Sequence, residues 1–511
     1  MTGSPAERVH VSRRAFVAAG AALAGGFALA GCSDSSAPTP SAATPSKDAI
    51  AAAEAARPHT GRTVTASLTP RPETIDLGGT LAATLAYGAT LPGPVIRAIV
   101  GDELAVTVAN RLNHPTSVHW HGIALRNDMD GAPPATPDIG PGTDFTYRFT
   151  AAHPGTYWAH PHTGLDADTG LYLPVIIDDP REPGAYDAEW IVVLDDWTDG
   201  IGKTPTEIYD DLHAPTRPAG DQVPGMPGMG GGMSAMAGVG TSPLLGGDAG
   251  DVSYPYYLIN GRIPAAPNTF TATPGQRIRI RIINAGSDTA FRVALAGHTM
   301  TVTHSDGYPI VPTNVAALLI GMGERYDVTV TARDGVFPLV ALAEGKNGLA
   351  RALLSTAAGT APEATFQPPE LGGRLGTVEM YTATTDVDLG PAKPDTALSA
   401  TLSGGMAKYD WTINGHAFAD TQPLAITQGQ RATLTFTNTT MMWHPMHLHG
   451  HTFQILRADG SRGARKDTAI VLPMQTLTVG LVADNPGTWM LHCHNTYHQE
   501  AGMMTSLDYT T

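Results

Sequence analysis

One strand pattern occurs three times along this chain. GDELAVTVAN at 101–110 matches GQRIRIRIIN at 275–284 and GQRATLTFTN at 429–438. Each copy has a turn glycine, a run of period-2 alternation and a closing asparagine, the pattern of a β-strand with one buried face. In the last two copies an Asn-Gly turn (Asn260-Gly261, Asn414-Gly415) stands 14 positions ahead of the turn glycine. Turn glycines at 101, 275 and 429 leave room for one β-sandwich per copy. A chain of 511 residues is also too long for a single core. Abundant glycine (57) and proline (41), with only 15% charged residues, fit antiparallel sandwiches joined by many turns. The expected fold is all-β, with three consecutive Greek-key sandwiches.

A second match relates the outer units. HPGTYWAHPH (153–162) lies over NPGTWMLHCH (485–494), so His160 falls on His492, His162 on His494, and Pro161 on Cys493. Two further His-x-His pairs are His119/His121 in HWHG and His447/His449 in HPMHLHG. On a strand, residues i and i+2 share a face, so each pair presents two imidazoles in one direction. Eight of the 19 histidines fall in such pairs, two pairs in the first unit and two in the third. That arrangement predicts a metal cluster between these units. The middle unit has no such pair and reads as a spacer.

Cys493 faces away from its two neighbours. With His444, His498 and Met503 it offers a thiolate, two imidazoles and a thioether, the ligand set of a blue copper electron-transfer site. Zinc also accepts Cys and His, but the thioether and the adjoining eight histidines favour copper. One strand would then serve two sites, Cys493 facing one and His492 and His494 facing the other.

The N-terminus reads as an export signal. Arg13-Arg14 precedes an apolar run from Ala15 to Ala30 that is short for a membrane span. It resembles a twin-arginine signal, and Leu29-Ala30-Gly31-Cys32 resembles a bacterial lipobox; an ordinary cleaved signal is the alternative. Residues 1–31 are thus expected to be the signal and 32–60, rich in Ser, Ala, Pro and Thr, a flexible tether. The expected location is the cell envelope, lipid-anchored through Cys32 to the outer face of the cytoplasmic membrane. Cys493 is then the only cysteine left, so no intramolecular disulfide forms. A net charge of −16 argues against a nucleic-acid partner, and Cys32 is the only expected membrane attachment.

HWHG, HPH, HPMHLHG and HCHNTYHQEAGM together resemble the four copper motifs of three-domain multicopper oxidases, the laccase and cuprous-oxidase group. LDDWTDG (194–200) and GERYDV (323–328) also look like middle-domain segments of this group. The signal resembles that of its lipid-anchored actinobacterial copper-resistance members. The resemblance implies cupredoxin-like domains, here 61–180, 181–365 and 366–511, and four copper ions. It assigns His444, Cys493, His498 and Met503 to a type 1 copper, and His119 and His447 to a type 2 copper. His121, His160 and His494 would hold one type 3 ion, and His162, His449 and His492 the other. Asp130 in NDMDG matches an acid that the family places near the trinuclear site; capping a turn is the alternative. Gln499 stands where many bacterial members carry an acid, which leaves Glu500 as a substitute proton donor.

The implied reaction is one-electron oxidation of a reductant coupled to four-electron reduction of O2 to water, by a monomer. The reductant is Cu(I), a phenol, or both. Met226, Met229, Met233 and Met236 in PGMPGMGGGMSAMAG (224–238) are soft thioethers suited to Cu(I), although methionine clusters also serve as packing. A laccase-type phenol oxidase without a Cu(I) role is the alternative, and a copper-binding scaffold without turnover a third reading. Copper nitrite reductases have two cupredoxin domains per subunit and share a copper site between subunits. This chain supplies four His pairs itself.

Overall fold

The computed structural model of the chain describes residues 47–182, 184–214, 239–391 and 393–510. Cys32, the signal, and Met226, Met229, Met233 and Met236 lie outside the described residues. The three repeated segments form the strands Glu103–Ala109, Arg277–Asn284 and Arg431–Asn438. Each lies between a parallel neighbour that precedes it in the chain and an antiparallel one that follows. The pairs are Thr63–Leu68 and Asp144–Thr150 in the first unit, Ala188–Trp197 and Arg325–Thr331 in the second, and Thr396–Gly405 and Thr476–Val482 in the third. A second sheet completes each unit. In all three it carries a short strand running parallel to the unit's late strand: Ile96–Ile99 on Leu173–Asp178, Thr269–Thr271 on Leu349–Ser355, and Leu424–Thr427 on Met504–Thr510. These are three cupredoxin-like Greek-key sandwiches, as expected.

The repeat has a physical basis at both ends. Gly101, Gly275 and Gly429 have φ of +89°, +85° and +86°, a left-handed turn that glycine adopts without strain. The closing asparagines Asn110, Asn284 and Asn438 are buried, and each makes the same bonds. Oδ1 accepts from the N–H two residues on, at 2.9–3.0 Å (Leu112, Gly286, Thr440). Nδ2 donates to carbonyls of the following loop and of another part of the unit, such as Thr289 and Ile320 in the middle one. Left unpaired, each such buried group would cost about 1–3 kcal/mol.

Period 2 also sets the faces. Ile278, Ile280 and Ile282 enter the core of the middle sandwich. Arg279 and Arg281, on the other face, are buried too. They pair with Asp327, Glu182 and Glu189, and Arg281 also donates to Thr156 Oγ1 of the first unit at 2.8 Å.

Two expected boundaries change. The tether does not extend to residue 60, because Lys47–Ala55 is a helix. Its alanine-rich sequence favours helix, and Glu54 docks it by accepting from the N–H and hydroxyl of Thr150 at 2.8 and 2.7 Å. The short strand Leu375–Gly376, beyond the expected 365/366 boundary, pairs parallel with Ala317–Ile320 of the middle unit. Two residues carry no periodic signal. Among the described residues no helix is long and apolar enough to cross a membrane.

Candidate metal centre

The four His-x-His pairs meet where the first and third units face each other. His119–His121 pairs with Gly155–His160 so that His119 lies opposite His160. In the third unit, His444–Leu448 pairs with Thr488–Cys493, which sets His447 opposite His492. The eight imidazoles are buried, and their inward nitrogens approach across the two units. His119 Nε2 is 3.4 Å from His447 Nε2, and His121 Nδ1 is 3.2 Å from His494 Nε2. His492 Nε2 is 3.3 Å from His162 Nε2 and 3.0 Å from His449 Nε2. His160 Nε2 is buried without a hydrogen-bond partner, its ring centroid 5.5 Å from that of His119 and 5.2 Å from that of His494.

The outward nitrogens fix the tautomers. His119 Nδ1–H donates to Asp130 O at 2.9 Å, and His449 Nδ1–H to Asp130 Oδ2 at 2.8 Å. His160 and His492 each donate from Nδ1 to the carbonyl of the next residue, Pro161 and Cys493, at 2.9 Å. The internal match between the outer units therefore extends to hydrogen bonding. His447 Nδ1–H donates to Asp467 O at 2.9 Å, and His121 Nε2–H to Asp467 Oδ1 at 3.2 Å. Burial, reinforced by neighbouring imidazoles, holds His121, His160, His449, His492 and His494 well below the usual histidine range, and His162 at about 3. In His449 and His492 the neutral ring's one N–H points outward, so the two Nε2 lone pairs face each other at 3.0 Å. A metal ion fits that arrangement, which has no proton to share between the nitrogens.

The second donor set lies on the other face of the same strand. Cys493 Sγ is 3.6 Å from both His444 Nδ1 and His498 Nδ1, which are 3.1 Å apart. All are buried, as is Met503, whose backbone accepts from Cys493 N at 3.0 Å and donates to His498 O at 2.9 Å. His444 Nε2 is 2.9 Å from Thr440 Oγ1. His498 Nε2–H donates to Asp251 Oδ2 at 2.8 Å, and Tyr409 donates to the same oxygen at 2.7 Å. Burial pulls His498 down, but its bonds to Asp251 and Cys493 outweigh burial and carry it to about 10. A buried thiol with two imidazole nitrogens is a soft set that suits copper.

The structure gathers the eight paired histidines into one cluster and His444, His498 and Cys493 into a second set, with Met503 buried and joined to Cys493 and His498 through its backbone. Asp130 ends the 3-10 turn Asn127–Met129, yet its carboxylate faces His449 and His119, so a turn cap does not exhaust its contacts. Glu500 is exposed at the end of the helix Thr496–Glu500, while Gln499 is buried. The middle unit is more than a spacer. It supplies Asp251 to His498, a contact made by a single acid in a loop. Asp467, Thr468 and Asp251 escape a sequence reading because hydrogen bonding from behind a ligand follows no ligand spacing. The one available signal is the charged pair Lys466-Asp467 ahead of an apolar strand.

Three family models, each described as multicopper oxidase, match in tandem at residues 71–182, 188–359 and 391–511. Multicopper oxidase MmcO of Mycobacterium tuberculosis is 65% identical over 508 residues, covering 99% of this chain and 98% of its own length. A copper resistance protein A homolog of Pseudomonas syringae pv. tomato is 29% identical, covering 84% of this chain and 89% of that protein. The solved structure of a laccase from Botrytis aclada shares 25% identity and a TM-score of 0.70 over 93% of each chain. With both donor sets in place and the match running along its whole length, the chain belongs to the multicopper oxidase family and is a copper-dependent oxidoreductase.

Proposed function

We propose that this enzyme takes single electrons from Cu(I), and also from phenols, and delivers them to dioxygen as part of copper tolerance. Four such electrons and four protons convert one O2 to two waters. The observation that carries the reading is the continuous segment His492-Cys493-His494, whose thiol faces one buried donor set and whose imidazoles face the other. The ligand assignment follows the resemblance. His444, Cys493, His498 and Met503 hold type 1 copper, and His119 and His447 hold type 2. His121, His160 and His494, with His162, His449 and His492, hold the type 3 pair. Copper bound there supplies one-electron redox chemistry and the reduction of dioxygen. The chain itself fixes the tautomers of His119, His121, His160, His447, His449 and His492, buries both sets, and holds the Asp130 carboxylate, the proposed proton donor, against His449 and His119. The chain is further proposed to be an exported monomer, lipid-anchored at Cys32.

Relatives named for copper resistance support Cu(I) as reductant. The last described residues ahead of the methionine segment lie near the Cys493 donor set. The helix Pro205–His213 precedes the segment, and the His213 ring packs on Tyr409, 5.1 Å between centroids. Tyr409 in turn bonds Asp251, the partner of His498. Similarity to fungal laccases favours the second reading, a phenol oxidase with no dedicated Cu(I) role.

Oxygen uptake separates the two. Replacing Met226, Met229, Met233 and Met236 together with leucine is expected to lower kcat/KM for Cu(I) by at least about tenfold, or about 1.4 kcal/mol. Leucine keeps size and apolarity but lacks sulfur, so a packing role would survive. Phenol oxidation is expected to hold or improve. Equal losses for both substrates would make the segment structural, and no loss for either would favour the phenol oxidase. Met503→Leu is expected to keep the blue colour and raise the reduction potential, because a weak axial donor is lost. Redox titration of the visible band checks this, and a lower potential would contradict the axial role.

A further inference from the structure

Arg325 of the middle unit reaches the histidine cluster without being a ligand. Its guanidinium is fully buried and meets all three units. Nε donates to Thr156 O at 3.1 Å, in the first-unit strand Gly155–His160. Nη1 donates to Gly323 O at 3.0 Å and to Asp467 Oδ1 at 2.7 Å, while Nη2 donates to Asp467 Oδ2 at 2.6 Å. A two-pronged grip of this kind fixes both the position and the plane of a carboxylate.

Asp467 is the residue on which two cluster imidazoles depend. Its Oδ1 accepts from His121 Nε2–H at 3.2 Å, and its backbone oxygen accepts from His447 Nδ1–H at 2.9 Å. The two rings stack with centroids 3.8 Å apart. Thr468 Oγ1–H donates to Asp467 Oδ1 at 2.9 Å and lies 3.1 Å from both His121 Nε2 and His447 Nδ1. Asp467 therefore sets which nitrogen each ring leaves free, through its carboxylate for His121 (Nδ1) and through its backbone oxygen for His447 (Nε2). Gly122, directly after His121, keeps the space for the grip. Its φ is +84°, and a Cβ there would collide with Arg325 Nη2 and stand 2.6 Å from Asp467 Oδ2.

A buried ion pair is by itself weak evidence of a stabilising role, since desolvation offsets its attraction. Orientation of the carboxylate is the stronger ground here. We propose that Arg325 is a positioning residue of the histidine cluster, clamping Asp467 so that His121 and His447 present the correct nitrogens. This role rests on the copper assignment above. It makes the middle unit part of the oxygen-reducing centre, and it gives the GERYDV segment and the glycine of HWHG a shared purpose.

The test uses the full copper-loaded chain with Arg325→Lys, Arg325→Met and Gly122→Ala. Lysine keeps the charge but loses the fork. Electron paramagnetic resonance of the type 2 copper, copper retained against a chelator, and the visible Cys493 band are recorded for each. All three variants are expected to keep the band, show an altered type 2 spectrum, and hold cluster copper about tenfold or more weakly. An unchanged type 2 spectrum and unchanged retention in both Arg325 variants would overturn the proposal. Loss of the band together with cluster copper in both would also overturn it, showing a general role in folding. A wild-type chain that holds a blue copper but no cluster copper would overturn the assignment of the eight histidines, and the clamp with it.

Discussion

Cys493→Ser is expected to abolish the intense visible band and reduce oxidase activity to background, while the histidine cluster keeps its copper. The colour of such a site comes from charge transfer between a thiolate and copper, and Cys493 is the free cysteine among the described residues. Serine is close in size, so the buried strand Thr488–Cys493 and its pairing with His444–Leu448 survive. Its hydroxyl is neither soft nor readily ionised, so it replaces the sulfur as a shape and not as a ligand. The cluster histidines bond outward to Asp130, Asp467 and neighbouring carbonyls, none of which involves Sγ. Visible spectra and copper content per chain measure both halves of the expectation. A band that persists in the variant would remove Cys493 from the site. Copper lost from both sets would mean that the two sites do not load independently.

Much of the fold is legible because strands write their geometry into sequence at period 2. The three turn glycines, three closing asparagines and four His-x-His pairs each mark a backbone conformation or a face. The pairs also locate the site, since imidazoles that recur at i and i+2 crowd one strand face with lone pairs that only a shared metal satisfies. What lies hidden is of another kind. Asp251 and Asp467 act on the far nitrogen of a ligand, so their positions depend on how domains dock and not on any local period. Arg279 and Arg281 alternate with isoleucines as solvent-facing residues would, yet both are buried, Arg281 against Thr156 of the first unit. The end of the tether is illegible because alanine-rich sequence serves a linker and a helix equally well until Glu54 finds Thr150. Glu500, suggested by its nearness in sequence to Gln499, lies on the solvent side of a helix whose other residues are buried.

Of the two acids read from the sequence as proton donors, Asp130 is the one shown against cluster histidines, and Asp130→Asn is expected to slow reoxidation by dioxygen by about 10²-fold. Reduction of the type 1 copper is expected to be unchanged. The carboxylate has two separable roles. Oδ2 accepts the Nδ1–H of His449 at 2.8 Å, which orients that ring. Oδ1 is buried without a hydrogen-bond partner, 3.4 Å from His119 Nδ1, on the side that faces the cluster. Asparagine retains an oxygen that can hold His449 and keeps the side chain's shape, but its amide cannot deliver a proton at neutral pH. The substitution therefore removes proton delivery and spares orientation. Stopped-flow absorbance separates the half-reactions, following anaerobic bleaching of the blue band and then its return on mixing with oxygen. Unchanged reoxidation would reduce Asp130 to the support of His449 and His119. Glu500→Gln is the parallel experiment. Because Glu500 is exposed, reoxidation in that variant is expected to match the wild type; a slow return there, with a normal one in Asp130→Asn, would reverse the two assignments.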